Sequence, residues 1–409
     1  MEYLSLFLSL AWRNIWRNRR RTLITFVAIG VGVWSMIVLA ALMDAWAMSV
    51  FNASTNTLTG HGQIHASDYL DDPTVDHRFV LSDGPLTTLL ESANVKAWAS
   101  RVRVPAIIQT ERENSPVELV GINPQRERDL SFIGDAVHEG RYLKNNQDPG
   151  ILLGRKLARR LHTSVNKRVV IMSQSSTGGI AERGFRVVGI FDAEQEETET
   201  AFAFVSLKQA QNMLAIGSDI SEIAFLVHDL DSLPMFIQQL RNAAPELDIQ
   251  PWYALEPFTD AILKISDGTI ALWTVVMFVL VAFGLVNTLL MAVFERTREF
   301  GLLQALGLRP RLIIIVVLLE SLLLIGVGVL AGLLSGALTV LAFHNGLDLG
   351  VLAKGATLFG AGRVLYPQLH TNQVIFIGLF VWIAGIFTSI YPAWRAVRES
   401  PVEAISKSY

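Results

Sequence analysis

The sequence predicts an α-helical membrane protein, with four transmembrane helices plus a large α+β domain outside the membrane between the first and second of them. Three observations carry this. Four long stretches are nearly free of charge, residues 45–269 between the first two are polar and acidic, and arginines gather at one set of stretch ends. Overall, 51% of the 409 residues are hydrophobic and only 17% are charged, against about 25% in ordinary soluble domains. The chain has no cysteine, which excludes a disulfide scaffold, a cysteine metal site and a cysteine nucleophile. Low charge also excludes a nucleic-acid-coating protein.

The apolar stretches are residues 22–43, 270–294, 312–343 (broken only by Glu320) and 374–391. A helix needs about 20 residues to cross a hydrocarbon core of about 30 Å. Buried helices of soluble cores are shorter and keep a polar stripe. The first stretch is too long for a signal-peptide core and no A-x-A site follows it, so it reads as a retained anchor.

Orientation comes from flanking charge. Arg13, Arg17, Arg19, Arg20 and Arg21 precede the first span. Arg296, Arg298, Arg309 and Arg311 lie between the second and third, and Arg395, Arg398 and Lys407 follow the fourth. Only Lys354 and Arg363 lie between the third and fourth. The positive-inside rule therefore puts both termini and residues 295–311 in the cytoplasm. The expected division is a cytoplasmic N-terminal segment 1–21, span one 22–49 and the outer domain 50–255. Span two follows over 256–294 with an outer extension, then a cytoplasmic segment 295–311 and span three 312–343. An outer loop 344–371, span four 372–393 and a tail 394–409 complete the chain.

Residues 45–269 hold 20 Lys and Arg against 29 Asp and Glu, an acidic soluble domain. A strand is predicted at 60–69 and a short helix at 85–93. Val- and Ile-rich alternating strands follow at 97–110, 117–122, 168–173 and 185–191, interrupted by a helix at 154–161. The remainder reads strand 201–205, helix 207–214, strand 222–227, helix 233–243 and strand 247–252, a β-α-β-α-β unit. The simplest assembly joins 50–95 to 197–255 as one α/β lobe, with 96–196 as an inserted β-rich lobe. Leu255, Phe258, Ile262 and Ile265 recur at helical spacing, so the second-span helix should begin outside the membrane. The first should run on past Asp44 to about Phe51, since no Pro/Gly/Ser-rich linker marks either junction.

No G-x-x-x-x-G-K-[ST], G-x-S-x-G or H-E-x-x-H is present. That argues against a self-contained ATPase, hydrolase or zinc protease. His61 and His65 would suit a metal on a helix. On a strand they stand about 13 Å apart, and a structural role is favoured. Residues 192–199 lack the glycine and alternation of a calcium loop and read as solvated. Glu320 lies about 13 Å along its helix from Arg311. An intramembrane carboxylate is costly, and the favoured reading pairs it with cytoplasmic-side polar groups or with Asn287, setting helix packing. Gly328, Gly332 and Gly336 form a smooth ridge for close helix contact.

Residues 295–311, ERTREFGLLQALGLRPR, are too short for a domain and too apolar for a solvated turn. Phe300, Leu303 and Leu306 fall three apart on a short helix that Gly307 and Pro310 terminate. Its apolar side needs a cover, either the membrane surface or a partner. Glu295 and Glu299 weaken the lipid alternative.

ERTREFGLLQALGLRP resembles the coupling segment of the MacB/FtsX-type ABC transporter permeases, E-R-x-R-E-[FI]-G-x-[LM]-x-A-[LM]-G. AWRNIWRNRRRTLIT resembles that family's amphipathic N-terminal helix, and YPAWRAVRESPVEAI resembles its C-terminal P-A-x-x-A-x-x-x-x-P-[VI]-E-A-[LI]. ILLGRKLARRL, FRVVGIF and FAFVSLKQAQNML resemble parts of its outer domain. The resemblance implies a multi-pass protein of the bacterial inner membrane, with both termini cytoplasmic. Its periplasmic domain would hold a porter-like α/β lobe and an inserted β-rich, sabre-like lobe. It also implies pairing with a second permease copy or paralogue, and service by a cytoplasmic ABC ATPase dimer. ATP and Mg²⁺ would sit on that partner, and no cofactor would be bound by this non-catalytic chain. The layout is most similar to the lipoprotein-releasing permeases LolC and LolE, because there is no room for a fused ATPase.

Glu295, Arg298, Glu299, Phe300, Gly301, Leu303, Leu306 and Gly307 would form the ATPase-coupling site. Phe300, Leu303 and Leu306 would be its buried anchors, and Gly301 would allow close approach. Membrane lipids, and a periplasmic carrier or adaptor, are further expected partners. MacB-like efflux of drugs or peptides, and FtsX-like regulation of a cell-wall hydrolase, stand as alternatives. The second usually goes with a smaller outer domain.

Overall fold

A computed structural model describes residues 11–193, 195–350, 362 and 364–397. They form two compact units. Within them, one unit comprises residues 11–48, 263–350 and 364–397; the other comprises residues 49–193, 195–262 and 362.

The first unit is helical. Helices Arg19–Ser54, Pro257–Glu295, Pro310–Ala342 and Thr371–Arg395 are each long and apolar enough to cross a membrane. Residues 11–17 are helical too, with a turn at Asn18 before the first span. The first helix runs past Asp44 and Phe51 without a break and ends in a π-turn, Thr55–Thr59. The second begins at Pro257, ahead of Phe258, Ile262 and Ile265. Parts of the expected loop 344–371 and tail 394–409 lie outside the described residues.

The glycine ridge packs span three onto span one. A Cβ on Gly328 would lie 2.8 Å from Ile29 Cγ2, one on Gly332 2.6 Å from Val33 Cβ, and one on Gly336 3.0 Å from Ile37 Cβ. Both rows repeat every four residues, so Ile29, Val33 and Ile37 seat as a ridge in the groove that the glycines leave. Span four packs on span three the same way, with Gly378 against Leu333 and Gly385 against Ile325. Gly332→Val should therefore force spans one and three apart, since its Cβ would also meet Gly30 O at 2.7 Å. Overpacking of this kind costs about 1–3 kcal/mol. Thermal unfolding in detergent should show a lowered Tm for Gly332→Val and none for Leu334→Val, whose side chain is exposed. Equal melting of the two would contradict the close contact.

Among the described residues the second unit holds ten strands: β1 Gly62–Ala66, β2 Val95–Gln109, β3 Asn114–Ile122, β4 Val137–Gly140, β5 Gly150–Gly154, β6 Arg168–Gln174, β7 Ile180–Phe191, β8 Phe202–Ser206, β9 Glu222–Val227 and β10 Leu247–Pro251. Six of them close a ring in the order β2–β3–β8–β5–β7–β6 and back to β2. The β3–β8 and β5–β7 pairs are parallel and the rest antiparallel. Closure leaves the ring without a free edge. β2 also belongs to an antiparallel sheet ordered β10–β1–β9–β2. Its first part, through Arg101, pairs with β9, and its second part, from Arg101, pairs with β3. Helix Leu233–Ala243 buries Leu233, Phe236, Ile237 and Leu240 in the main core of this unit.

The lobe boundary expected at residue 196 needs correction. β8 is a ring strand, and helix Leu207–Leu214 lies on β3, where a Cβ on Gly121 would come within 2.5 Å of Ala210 Cβ. The ring therefore draws on chain well beyond 196. The strand expected at 60–69 is shorter, and β5 was not expected. All five β5 residues are buried, with Ile151 and Leu153 in one core cluster and Leu152 in another. A strand covered on both faces shows no alternation to read.

Candidate coupling site

The site is built on helix Thr297–Ala305, between spans two and three. Its end is set by Gly307, which adopts φ +92°, a left-handed conformation that glycine takes without strain. Gly307 N–H donates to Gln304 O and Leu308 N–H to Leu303 O, the two bonds of a Schellman cap. Arg309 is then extended and Pro310 opens span three.

One side of this helix is held by the chain itself. Phe300 is 5% exposed and packs with Val293, Ile313, Val317, Ala393 and Ala396. The Arg296 guanidinium lies 5.5 Å from its ring centroid. Arg296 Nη1 donates to both Glu320 oxygens, at 2.8 and 3.1 Å, and Asn14 Nδ2 donates to Glu320 Oε1 at 2.6 Å. Arg17 pairs with Glu299 and Arg21 with Glu295, each at 2.8 Å. The segment before span one therefore grips both ends of the turn that follows span two.

The opposite side is bare. Leu302, Leu303 and Leu306 are 52%, 41% and 77% exposed, and Arg298 is exposed beside them. Phe300 and Gly301, expected at the partner contact, are buried within the chain. Leu302, absent from the expected set, is exposed beside Leu303 and Leu306. Glu320 bonds to Arg296 and Asn14 and not to Asn287.

The MacB-like periplasmic core domain family matches residues 22–243, and the FtsX-like permease C-terminal family matches residues 271–401. The chain belongs to the MacB/FtsX-like permease family. This permease is 23% identical to the lipoprotein-releasing system transmembrane protein LolC of Xylella fastidiosa over 420 residues, covering 98% of each chain. It is 22% identical to the transmembrane protein LolE of Haemophilus influenzae, over 97% of this chain and 98% of the relative. The pyoverdine export ATP-binding/permease protein PvdT of Pseudomonas fluorescens is 23% identical over 97% of this chain and 58% of its own length. The periplasmic region of MacB from Actinobacillus actinomycetemcomitans aligns at 13% identity over 49% of this chain and 94% of its own, with a TM-score of 0.35.

The permease's periplasmic domain contains a second polar assembly that spacing did not reveal. Arg101 is fully buried where β2 passes from sheet to ring. It donates to both oxygens of Glu127 at 3.0 and 2.7 Å, to Glu222 at 2.8 Å and to the Leu58 carbonyl. Arg103 joins Glu222 to Glu118 at 2.9 and 2.6 Å. Burial opposes the Arg101 charge, yet Glu127 and Glu222 hold its pKa above the usual value. Burial alone would raise Glu222, but Arg103, His65 and Arg101 hold it well below the usual carboxylate range. The sequence signal was two arginines inside an apolar strand, SRVRVPAII.

His65 belongs to this assembly, 3.7 Å from Glu222 and stacked on Tyr69. His61 accepts from Val227 N–H, and burial and Lys96 push its pKa down to about 4. Among the described residues no group of three potential metal ligands forms. The acidic stretch after residue 191 is more ordered than a solvated loop. Arg155 pairs with Asp192, and buried Glu199 accepts from Lys156 N–H and Ala193 N–H. Glu199 thereby satisfies an otherwise orphan donor at the start of helix Arg155–Arg160.

Proposed function

We propose that this permease couples ATP hydrolysis by a separate cytoplasmic ATPase to release of lipid-anchored proteins from the membrane's outer face. The observation that carries the coupling role is the bare leucine side of helix Thr297–Ala305. The other side of that helix is fastened to spans two, three and four and to the N-terminal segment. A partner pressing on those leucines would move the spans directly. Similarity along the full length of LolC and LolE supports lipoprotein release. Both termini lie in the cytoplasm in this reading, and segment 295–311 with its helix Thr297–Ala305 faces the ATPase. The working unit pairs this chain with a second copy or a paralogue, and ATP with Mg²⁺ binds the ATPase alone. The match to PvdT favours export of a small secreted compound as the second reading.

The test uses proteoliposomes holding this chain, its paralogue if one is encoded beside it, and the ATPase encoded nearby. Acylated and non-acylated forms of one envelope lipoprotein are placed on the outer face. ATP should stimulate release of the acylated form into solution in the presence of a carrier, and this chain without the ATPase should neither release it nor hydrolyse ATP. ATP-independent release, or hydrolysis unaffected by the acylated protein, would overturn the proposal.

A further inference from the structure

Five arginines precede span one, and the structure separates them into two groups. Arg17 and Arg21 are paired with Glu299 and Glu295. Arg13, Arg19 and Arg20 are exposed and make no ion pair among the described residues. Beside them Trp12 and Trp16, one helical turn apart, are 48% and 51% exposed and meet edge to face at 5.9 Å. On the other side of the same short helix, Ala11 is fully buried and Asn14 reaches Glu320. The segment is thus fixed to the protein along one side. Its other side presents two large indoles and Arg13, and Arg19 and Arg20 follow, exposed, at the start of the next helix, immediately before the apolar run.

We propose that residues 12–20 form a binding surface for the headgroups of anionic phospholipids. The proposal rests on the reading of helix Arg19–Ser54 as a membrane span. Indole rings, apolar in body with one N–H donor, prefer the depth of the headgroups. Guanidinium groups donate in a fork that fits phosphate oxygens. Zwitterionic lipid offers the same phosphate but adds a cation that Arg13, Arg19 and Arg20 would repel. Each basic residue near an anionic surface contributes about a fivefold gain in affinity, so the three together contribute about a hundredfold. Through Arg17 and Arg21 the lipid-bound segment would also steady the coupling helix.

The experiment titrates the full chain, purified in detergent, with phosphatidylglycerol, phosphatidylcholine or inorganic phosphate. Bound lipids are counted by native mass spectrometry. Phosphatidylglycerol should bind at least tenfold more tightly than phosphatidylcholine. The triple variant R13Q/R19Q/R20Q should abolish most of that preference, and W12L/W16L should weaken binding of both lipids several-fold. Wild-type melting behaviour in each variant separates lost binding from lost folding. Unchanged phosphatidylglycerol preference in the triple variant would overturn the proposal. So would displacement of the lipid by millimolar inorganic phosphate with no effect of the tryptophan changes, which would mean a plain anion site. No ATPase or substrate is involved, so failure here leaves the proposed lipoprotein-release activity standing, and the reverse.

Discussion

Arg101→Met should destabilise the periplasmic domain by about 3–5 kcal/mol, because it leaves buried carboxylates without their cation. Whole domains are held by only about 5–15 kcal/mol, so this is a large share. Glu127 and Glu222 are both fully buried. Glu222 would retain Arg103, but Arg101 is the residue that pairs with Glu127. The Leu58 carbonyl would keep its bond from Gln63 Nε2, so the penalty falls mainly on charge. The position makes the loss felt on both sides, since Arg101 lies opposite Glu222 in the sheet and Ile122 in the ring. The double variant Arg101→Met/Glu127→Leu should recover most of the loss, because an apolar replacement for a whole buried pair is often close to neutral. Acid behaviour should change with it. Glu222 has a native pKa below its unfolded one, so it stabilises the fold above about pH 4.3 and this is lost as pH falls through the native value. Without Arg101 that native value rises, the contribution shrinks, and the midpoint of acid unfolding moves to higher pH. Thermal and acid unfolding of the full chain in detergent, followed by near-UV dichroism, read both effects. A single variant as stable as wild type, or a double variant no better than the single, would contradict this account of the cluster.

The spans were legible because about twenty apolar residues report a membrane helix without help from the rest of the fold. The glycine ridge was legible as a contact, but its partner row, Ile29, Val33 and Ile37, is an ordinary stretch of apolar helix and announces nothing. In the outer domain, helices Leu207–Leu214 and Leu233–Ala243 and strand β9 fell where amphipathic or β-branched patterning put them. The closed ring did not, since it depends on β2 being long enough to serve two sheets and on β5 being covered on both faces. The buried cluster joins residues from 58 to 222, a proximity that only topology creates. On helix Thr297–Ala305 the departure from the expected apolar side is geometric. A spacing of three falls short of a turn by about 60° at each step, so Leu306 is rotated about 120° from Phe300. Phe300 therefore points into the protein while Leu302, Leu303 and Leu306 gather on the far side.

That far side carries the second large effect. Leu303→Arg should weaken binding of the partner ATPase at least tenfold, and Leu303→Arg/Leu306→Arg by a hundredfold or more. Burying a leucine side chain contributes about 1.5–3 kcal/mol, and about 1.4 kcal/mol is a factor of ten. An arginine in the same place would also bring an unpaired charge into a dry contact. Both leucines are already exposed, so the chain itself should fold and insert as before. Phe300→Ala is the instructive contrast. It removes an internal anchor among Val293, Ile313, Val317 and Ala393, and cavities of that size cost about 3–5 kcal/mol. It should lower the amount of folded chain and loosen the helix while leaving the leucine side chemically intact. Pull-down of the ATPase at matched membrane levels separates the two cases. Leucine variants should lose the ATPase while keeping the wild-type Tm, and Phe300→Ala should lose Tm first. If the helix instead lies on lipid, arginine at 303 and 306 would be tolerated or would strengthen attraction to anionic headgroups. Recovery of the ATPase by the double arginine variant at the wild-type level would then sink the docking site.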